Sequence, residues 1–470
     1  MKESDRDYLN RISQVAHERH TAQRVVQDVP TLIIVPTPLT RQQTYELLER
    51  RLNYVAIFGA ESIYFQDTVH ALATDSSESG RVNVLGAHID WISPDSASIR
   101  RALAVDKDGL VKEVAFEEPV PIHTVQILHL PIKHERQLHR KLSIRFRDSG
   151  IPQINPYEGG SERADDKAWT HSLWDQYGQN IVSPGYVLIP QHSSPEEIAE
   201  KLKAFIQNAQ KLDLVVQPNR GTEGRKVEKF SVGTGLIRFA VLDETIWPEF
   251  QIPPNPPLAK GGNFRIASIV NPNRIRPESP VVRYIKDHIL PEDDAIVREQ
   301  RGNVRYMDSS SGSFLNVVFR INVAWNGSEF VAESGYAQMA EDEGTFPASR
   351  GRGGSIIDIN DALANLHYQA DGGWIRLIPA DQDVAAMKTA AINAAYGLNA
   401  GLDLDRYLKF VGIDILLEAE HRGVNVVNVI PVVLEANPRP AGLSQSSEIM
   451  GVSARKPHAR VSREIFRSEK

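Results

Sequence analysis

The chain has 470 residues, of which 41% are hydrophobic and 24% are charged, and its formal net charge is -7 at pH 7. This length predicts about three domain-sized units, and the acidic charge balance argues against a general nucleic-acid-binding protein, which needs a concentrated cationic surface. The sequence contains no cysteine, which excludes disulfides, a thiolate nucleophile and a zinc–thiolate site and is typical of a reducing compartment. No stretch approaches about 18 uninterrupted apolar residues, so we expect a cytoplasmic protein with no membrane partner.

Short apolar runs separated by helical or irregular stretches make up residues 1–150. Four of these runs have the length and composition of strands: residues 31–39, 54–61, 82–90 and 124–132. Strands that alternate with helical segments, such as residues 40–52, predict an α/β layer with a mostly parallel sheet. The turn-rich segment 149–162 predicts a connector, and we therefore place the first domain boundary near residue 150.

The clearest helix signal of the sequence lies at residues 193–212. Ser194 is suited to the N-cap, Pro195 to the first helical position, and Glu197 completes a capping box. Because apolar residues then recur with helical spacing, we expect an amphipathic helix.

The rest of the chain alternates between strand and helix signals. Further strands are predicted from their apolar, β-branched composition at residues 213–218, 295–299, 314–325, 329–340, 408–419 and 431–439. Helices are predicted at 358–368 and 385–399. The segment 244–293 is proline-rich and polar, and residues 253–263 within it are expected to be a solvated loop. We find no internal repeat.

The predicted strand at residues 431–439 ends on three polar side chains at alternate positions, Glu435, Asn437 and Arg439. Successive strand side chains point to opposite faces, so these three share one face while Ala436 and Pro438 lie on the other. The pattern indicates a site at the strand end. The structural alternative is a surface strand end in which Glu435 and Arg439 pair with each other.

A glycine-bearing turn follows the predicted strand 213–218. Such a turn can bring backbone N–H groups onto a phosphate, although a plain hairpin turn has the same composition. The residues that would form this loop are Gly221, Thr222, Glu223, Gly224, Arg225 and Lys226.

Taken in order, several segments of the chain resemble the ATP-grasp superfamily of carboxylate–amine and carboxylate–thiol ligases. They are residues 164–184, 214–227, 295–300, 319–325, 411–418 and 432–442. The resemblance implies a mixed α/β and α+β fold class. It further implies a pre-ATP-grasp-like α/β domain at 1–150 and a two-subdomain ATP-grasp domain at 151–470, whose lid subdomain covers roughly 185–290.

The resemblance also implies roles for individual residues. Asp414, Glu435 and Asn437 match the family's metal ligands, and hard divalent ions prefer such oxygen donors. Arg439 and Arg320 match catalytic arginines that contact the transferring phosphoryl group or the substrate, for which a planar fork of donors is suited.

The nucleotide-binding residues follow from the same resemblance. Lys167 matches a lysine that reaches the ATP phosphates, and Glu299 lies where the family's hinge strand binds adenine. Gln217 occupies the strand-end position that usually carries a lysine, and Lys226 occupies the last glycine position of the loop. An amide cannot supply charge to a triphosphate, so we expect a neighbouring cation, Lys226 or Arg225, to replace the lysine.

The function implied by these matches is an ATP-dependent ligase that activates a carboxylate as an acylphosphate, with Mg²⁺ or Mn²⁺, for attack by an amine or another nucleophile. Its partners would be small-molecule carboxylate and nucleophile substrates, with no nucleic acid, and self-association into a homo-oligomer is left open. Two alternatives use the same nucleotide and metal residues: an ATP-grasp kinase of a small-molecule hydroxyl, and a catalytically silent ATP-binding module.

Overall fold

The structure is a computed structural model of the chain. It describes residues 37–39, 53–58, 82–87, 92–93, 98–105, 111–122, 124–127, 136–209, 213–220, 226–231, 237–240, 264–267, 275–348, 353–370, 373–421 and 427–438. The predicted helix at 40–52 lies outside these residues.

The first sheet gathers eight strands from the beginning of the chain. They are β1 (Thr37–Leu39), β2 (Asn53–Phe58), β3 (Val82–Ala87), β4 (Ile92–Ser93), β5 (Ser98–Val105), β6 (Val111–Pro121), β7 (Thr124–Ile127) and β8 (Gln153–Ile154). Their order is β1-β6-β5-β3-β2-β7-β8, with β4 beside β5. The sheet is mixed, because the antiparallel hairpin β5–β6 lies between parallel pairs. The sequence did not predict this hairpin, since its charged, exposed residues such as Arg100 and Glu118 conceal the strand pattern.

The segment 149–162, predicted as a connector, is packed instead. It follows helix α1 (Arg136–Asp148), contributes β8 to the first sheet, and buries Ile151, Ile154 and Tyr157. Turn-forming residues dominate the composition of this segment, but the few apolar residues among them are buried.

The second sheet is antiparallel and has four strands in the order β11-β10-β14-β9. The elements of this region are α2 (Glu162–Asp165), α3 (Lys167–Tyr177), β9 (Tyr186–Ile189), α4 (Pro195–Asn208), β10 (Asp213–Pro218), β11 (Glu228–Ser231), β12 (Ile237–Ala240), β13 (Phe264–Ala267), α5 (Pro280–Tyr284) and β14 (Ala295–Glu299). Strands β12 and β13 pair only with each other among the described residues.

Helix α4 confirms the predicted capping box. The Ser194 hydroxyl accepts from the Glu197 backbone N–H at 3.2 Å, and the Glu197 carboxylate accepts from the Ser194 N–H at 2.7 Å. The apolar side of the helix, with Ile198 and Leu202, packs on one face of the second sheet. This core also contains Val281, Val282 and the helical turn Ile285–Ile289. Residues 275–290 of the proline-rich segment are thus packed, whereas residues 253–263, which were expected to form a solvated loop, lie outside the described part of the chain.

The third sheet is antiparallel throughout and has eight strands. Its elements, with the helices between them, are β15 (Val304–Met307), β16 (Phe314–Trp325), β17 (Phe330–Met339), β18 (Ser355–Ile357), α6 (Ile359–Ala364), β19 (Leu366–Ala370), β20 (Gly373–Leu377), α7 (Asp381–Asn399), β21 (Phe410–His421) and β22 (Val427–Asn437). The order is β18-β17-β16-β15-β19-β20, with β21 paired to β16 and β22 to β21. The helix predicted at 358–368 ends at Ala364, because Leu366, Tyr368 and their neighbours pair as β19.

Helix α7 covers one face of the third sheet. Its buried alanines, including Ala391 and Ala394, lie in one apolar cluster with Phe319 of β16 and Ala436 of β22. Small side chains on the helix allow a close approach to the sheet, so this face is core and the opposite face is left for polar residues. The predicted α/β and α+β fold class is confirmed by this arrangement of sheets and helices. None of the helices that the structure describes is long and apolar enough to cross a membrane.

Candidate active site

The polar side chains of β22 lie on the face of the third sheet opposite helix α7. Ala436 is buried in the core under the helix, whereas Glu435 and Asn437 are only partly buried on the other face. Strand β21 places Asp414 directly opposite Glu435, and Gly412 opposite Asn437. Three oxygen-bearing side chains from two neighbouring strands thus meet at one place on the sheet.

Arg320 binds Asp414 across the adjoining strand pair. The two residues face each other in the β16–β21 register, and the guanidinium donates twice, Nε to Oδ1 at 2.6 Å and Nη2 to Oδ2 at 2.7 Å. Asn437 Nδ2 donates to the same carboxylate at 3.2 Å, and Tyr336 accepts from Arg320 Nη1 at 3.1 Å. A charge inside an apolar strand needs such partners. Arg320 therefore forms a two-point ion pair with Asp414, which is one of the predicted metal ligands.

Burial and pairing act in opposite directions on the pKa values of this ion pair. Burial raises the pKa of the Asp414 carboxyl, and Arg320 and Asn437 only partly oppose the rise. Burial also disfavours the charged form of Arg320, but the Asp414 carboxylate outweighs it, so the guanidinium pKa lies above its usual value. Removal of either residue would leave the other as an uncompensated buried charge.

Lys167 reaches this cluster from another element. It is the first residue of α3, which begins where the Asp166 side chain caps the helix by accepting from the Trp169 N–H at 3.0 Å. The Lys167 ammonium is buried, and its Nζ lies 3.6 Å from Glu435 Oε1. A narrow crevice at this contact is lined by Ala164, Lys167, Thr170, His171, Leu434, Glu435 and Ala436.

A hydrogen-bonded bracket joins the start of α3 to the end of β10. Asn219 Oδ1 accepts from the Ala168 N–H at 2.8 Å, and Asn219 Nδ2 donates to Asp166 at 2.9 Å. Arg220 Nη2 also donates to Asp166, at 2.6 Å. Sequence reasoning missed these residues, although an Asp before a helical stretch signals an N-cap. The bracket holds Asn219 and Arg220, the two residues before the glycine loop, next to the start of α3.

Of the glycine loop itself, only the last residue, Lys226, is described. Before the loop, Gln217 is buried with 4% of its surface exposed, and its Nε2 has no hydrogen-bond partner among the described residues. At the other end, Lys226 has a φ of 52° and places Nζ 2.8 Å from Glu292 Oε1. Gly221, Thr222, Glu223, Gly224, Arg225 and Arg439 lie outside the described residues.

Glu299, expected near adenine, is the last residue of β14. Its carboxylate is buried, accepts from the Gly185 N–H at 3.2 Å and lies 3.8 Å from Arg301 Nη1. Arg301 in turn forms a two-point ion pair with Glu418 of β21, at 2.7 and 2.6 Å. The side chain of Glu299 is thus held within a network that joins the second and third sheets.

Arg298 and His171 are buried beside the crevice, and sequence reasoning did not select either. Arg298 Nη1 donates to the Leu434 carbonyl at 2.7 Å and lies 3.3 Å from His171 Nε2. The His171 ring stacks on Tyr186 with a centroid distance of 5.2 Å. Burial, with added repulsion from Arg298 and Lys167, lowers the pKa of His171 well below 6.5. The available signal was an arginine inside the apolar strand Ala295–Glu299.

Asn155 fixes the strand ends that carry the site. Its Nδ2 donates to the carbonyls of Phe410 and Pro438, both at 2.6 Å, and its Oδ1 accepts from the Phe410 N–H at 3.0 Å. The residue has a φ of 53°, a left-handed conformation that asparagine tolerates better than most residues. The start of β21 and the end of β22 are therefore held at one point, next to Asn437.

No family model matches the sequence, and no curated protein matches it. The structure is similar to that of D-alanyl-alanine synthetase A from Vibrio cholerae, with 10% identity over 89% of this chain and 99% of that chain and a TM-score of 0.47. It is also similar to the VanG D-Ala:D-Ser ligase from Enterococcus faecalis, with 13% identity, 88% and 98% coverage and a TM-score of 0.46. For the ATP-grasp ligase PsnB complexed with a minimal precursor, the values are 11% identity, 87% and 98% coverage and a TM-score of 0.41. These likenesses concern the fold alone.

Proposed function

We propose that the protein is an ATP-dependent ligase that activates a carboxylate as an acylphosphate, which an amine or another nucleophile attacks, with release of ADP and phosphate. One observation carries the proposal: Asp414, Glu435 and Asn437 converge on one sheet face and meet Lys167, whose helix is bracketed to the start of the glycine loop. Oxygen ligands for a metal and a cation for phosphate are thus adjacent, as phosphoryl transfer from ATP requires.

The three side chains fit a magnesium ion that also binds phosphate. Asn437 donates its amide nitrogen to Asp414 at 3.2 Å, so its amide oxygen is oriented away and can bind a ligand. The Glu435 carboxylate lies 3.6 Å from Lys167 Nζ, a distance longer than a hydrogen bond, so it can also bind a metal ion. No group of three or more His, Cys, Asp or Glu side chains in the described part of the chain could hold a metal by itself. Mg²⁺ typically binds one or two carboxylates together with substrate phosphates. When bound, the ion would neutralise charge on the transferring phosphoryl group.

The remaining residues of the implied set receive defined roles in this proposal. Lys167 would contact the ATP phosphates as a compact point charge, and the backbone of β14 near Glu299 would bind adenine. Arg439 would contact the phosphoryl group or the substrate carboxylate. Arg320 acts through Asp414, because both of its strong hydrogen bonds go to that carboxylate. It is therefore proposed as a positioning residue.

Gln217 supports the alternative that the protein is a silent ATP-binding module, because a neutral amide occupies the position where the ATP-grasp family usually has a lysine. Product analysis separates the candidates: the protein is incubated with Mg²⁺, ATP and a panel of amino acids, peptides and sugar acids. A condensed product with ADP and free phosphate supports the ligase. A stable phosphorylated product indicates a kinase, and ATP binding without turnover on any member indicates the silent module.

A further inference from the structure

The second sheet turns the face that carries Gln217 and Arg298 away from its core. Leu214, Val216 and Val297 lie in the apolar cluster under α4. On the opposite face, Val215 pairs with Arg298, and Gln217 pairs with Ile296, so that Gln217 and Arg298 are diagonal neighbours. Diagonal neighbours on adjacent antiparallel strands are within reach of each other's long side chains.

Both neighbours carry a buried hydrogen-bond donor without a partner. Gln217 and Arg298 are each only 4% exposed, and neither Gln217 Nε2 nor Arg298 Nε has an acceptor among the described residues. Nδ1 of His171, in the adjoining crevice, also has no partner within the described part of the chain. Buried polar groups in native proteins are nearly always satisfied, so donors left unpaired at one place indicate a missing acceptor.

Arg298 is held in place but its charge is not balanced by contact. Its Nη1 is anchored on the Leu434 carbonyl and beside His171, yet no carboxylate among the described residues lies within ion-pair distance. Burial lowers the pKa of Arg298, opposed only by the more distant charges of Glu435 and Asp414. A buried guanidinium in this state is stabilised by an anion. Lys226, by contrast, already has Glu292 as its counter-charge.

We propose that Arg298, assisted by the Gln217 amide, is the cation that binds the nucleotide phosphates in place of the lysine expected at position 217. The inference rests on the proposed ATP site. It also explains why Gln217 is neutral, since a lysine there would put a second buried cation next to Arg298, whereas an amide donates without repulsion. Arginine suits the task because its fork of donors matches phosphate oxygens.

The test measures the dissociation constant of MgATP, and that of tripolyphosphate by competition, for the wild type and for Arg298→Met, Arg298→Gln, Gln217→Lys and the double variant Gln217→Lys/Arg298→Met. Arg298→Met should weaken both ligands by about ten- to a hundredfold, the loss expected for a charged hydrogen bond. The double variant should recover at least about tenfold of this loss, because a lysine at 217 restores the charge. Arg305→Met is the control, since Arg305 is partly buried and, among the described residues, donates only to backbone carbonyls, and we expect it to bind MgATP normally.

The outcomes separate this inference from the proposed function. If the wild type binds MgATP and Arg298→Met binds it equally well, the inference is wrong and the ATP site stands. If ATP affinity is intact but the variant requires more of the acid substrate, the anion is the substrate carboxylate and the phosphate assignment is overturned. If the wild type binds neither MgATP nor tripolyphosphate, both proposals fail. Should Arg298→Met not fold, Arg298→Gln decides: it also removes the charge, so it must bind both ligands more weakly than the wild type, and unchanged affinity refutes the inference.

Discussion

The ion pair of Arg320 and Asp414 gives the sharpest test of how the site is held together. Arg320→Met keeps most of the side-chain volume but leaves a buried carboxylate, 7% exposed, with one remaining hydrogen bond, the 3.2 Å contact to Asn437. Removal of one partner from a buried pair costs about 3–5 kcal/mol. Because the Asn437 contact survives, we expect the lower value, about 3 kcal/mol, in the local stability of β16 and β21.

Hydrogen exchange read by mass spectrometry on peptides from β16 and β21 measures this local stability without assuming that the whole chain unfolds in one step. A loss of about 3 kcal/mol corresponds to exchange about a hundredfold faster. The double variant Arg320→Met/Asp414→Leu removes both charges and should exchange more slowly than Arg320→Met. Without the arginine, the raised pKa of Asp414 rises further, so the deficit of Arg320→Met should shrink as the pH falls and the buried carboxyl becomes neutral. A deficit below about 1 kcal/mol at neutral pH would refute the claim that Asp414 depends on Arg320.

Three further predictions follow from contacts in the site. The lowered pKa of His171 keeps its ring neutral in the folded protein, whereas in the unfolded chain it takes up a proton below about pH 6.5. The free energy of unfolding of the wild type should therefore fall below that pH, and His171→Asn should make it less dependent on pH between about pH 7 and 5.5. The same pH dependence in the variant as in the wild type would contradict the lowered pKa. Asn155→Ala should lower the free energy of chemical unfolding by about 2–3 kcal/mol. This loss should be clearly larger than that of the control Asn180→Ala, because Asn180 shares the left-handed φ but is exposed. Equal losses would mean that backbone strain alone accounts for the effect. Glu435→Gln should abolish Mg²⁺-dependent turnover in a variant that still folds, and wild-type turnover in the folded variant would remove Glu435 from the metal site.

Local signals predicted those elements whose physics is local. The helix Pro195–Asn208 follows from its capping box, and strands Ala295–Glu299 and Phe314–Trp325 have the bounds that their apolar runs predict. The alternation of Glu435 and Asn437 likewise placed both on one face of their strand, because side-chain period depends only on strand geometry.

Long-range partners could not be predicted in the same way. The bracket between Asp166 and Asn219 joins residues 53 apart, and the anchor of Arg298 on Leu434 spans 136. Nothing in a local pattern distinguishes a buried arginine with a distant carbonyl partner from one at a strand edge. Which of the two an arginine is depends on how the strands pair, and the register of β10 with β14 places Gln217 and Arg298 on one face.

The most direct test of the central claim follows an oxygen atom. A carboxylate substrate that stimulates ADP release is labelled with ¹⁸O in its carboxyl group and incubated with ATP, Mg²⁺ and the nucleophile, and the released phosphate is examined by mass spectrometry. An acylphosphate route transfers one labelled oxygen to phosphate, so the account predicts ADP together with ¹⁸O-phosphate. AMP as the primary nucleotide product, or ADP with unlabelled phosphate, would contradict it.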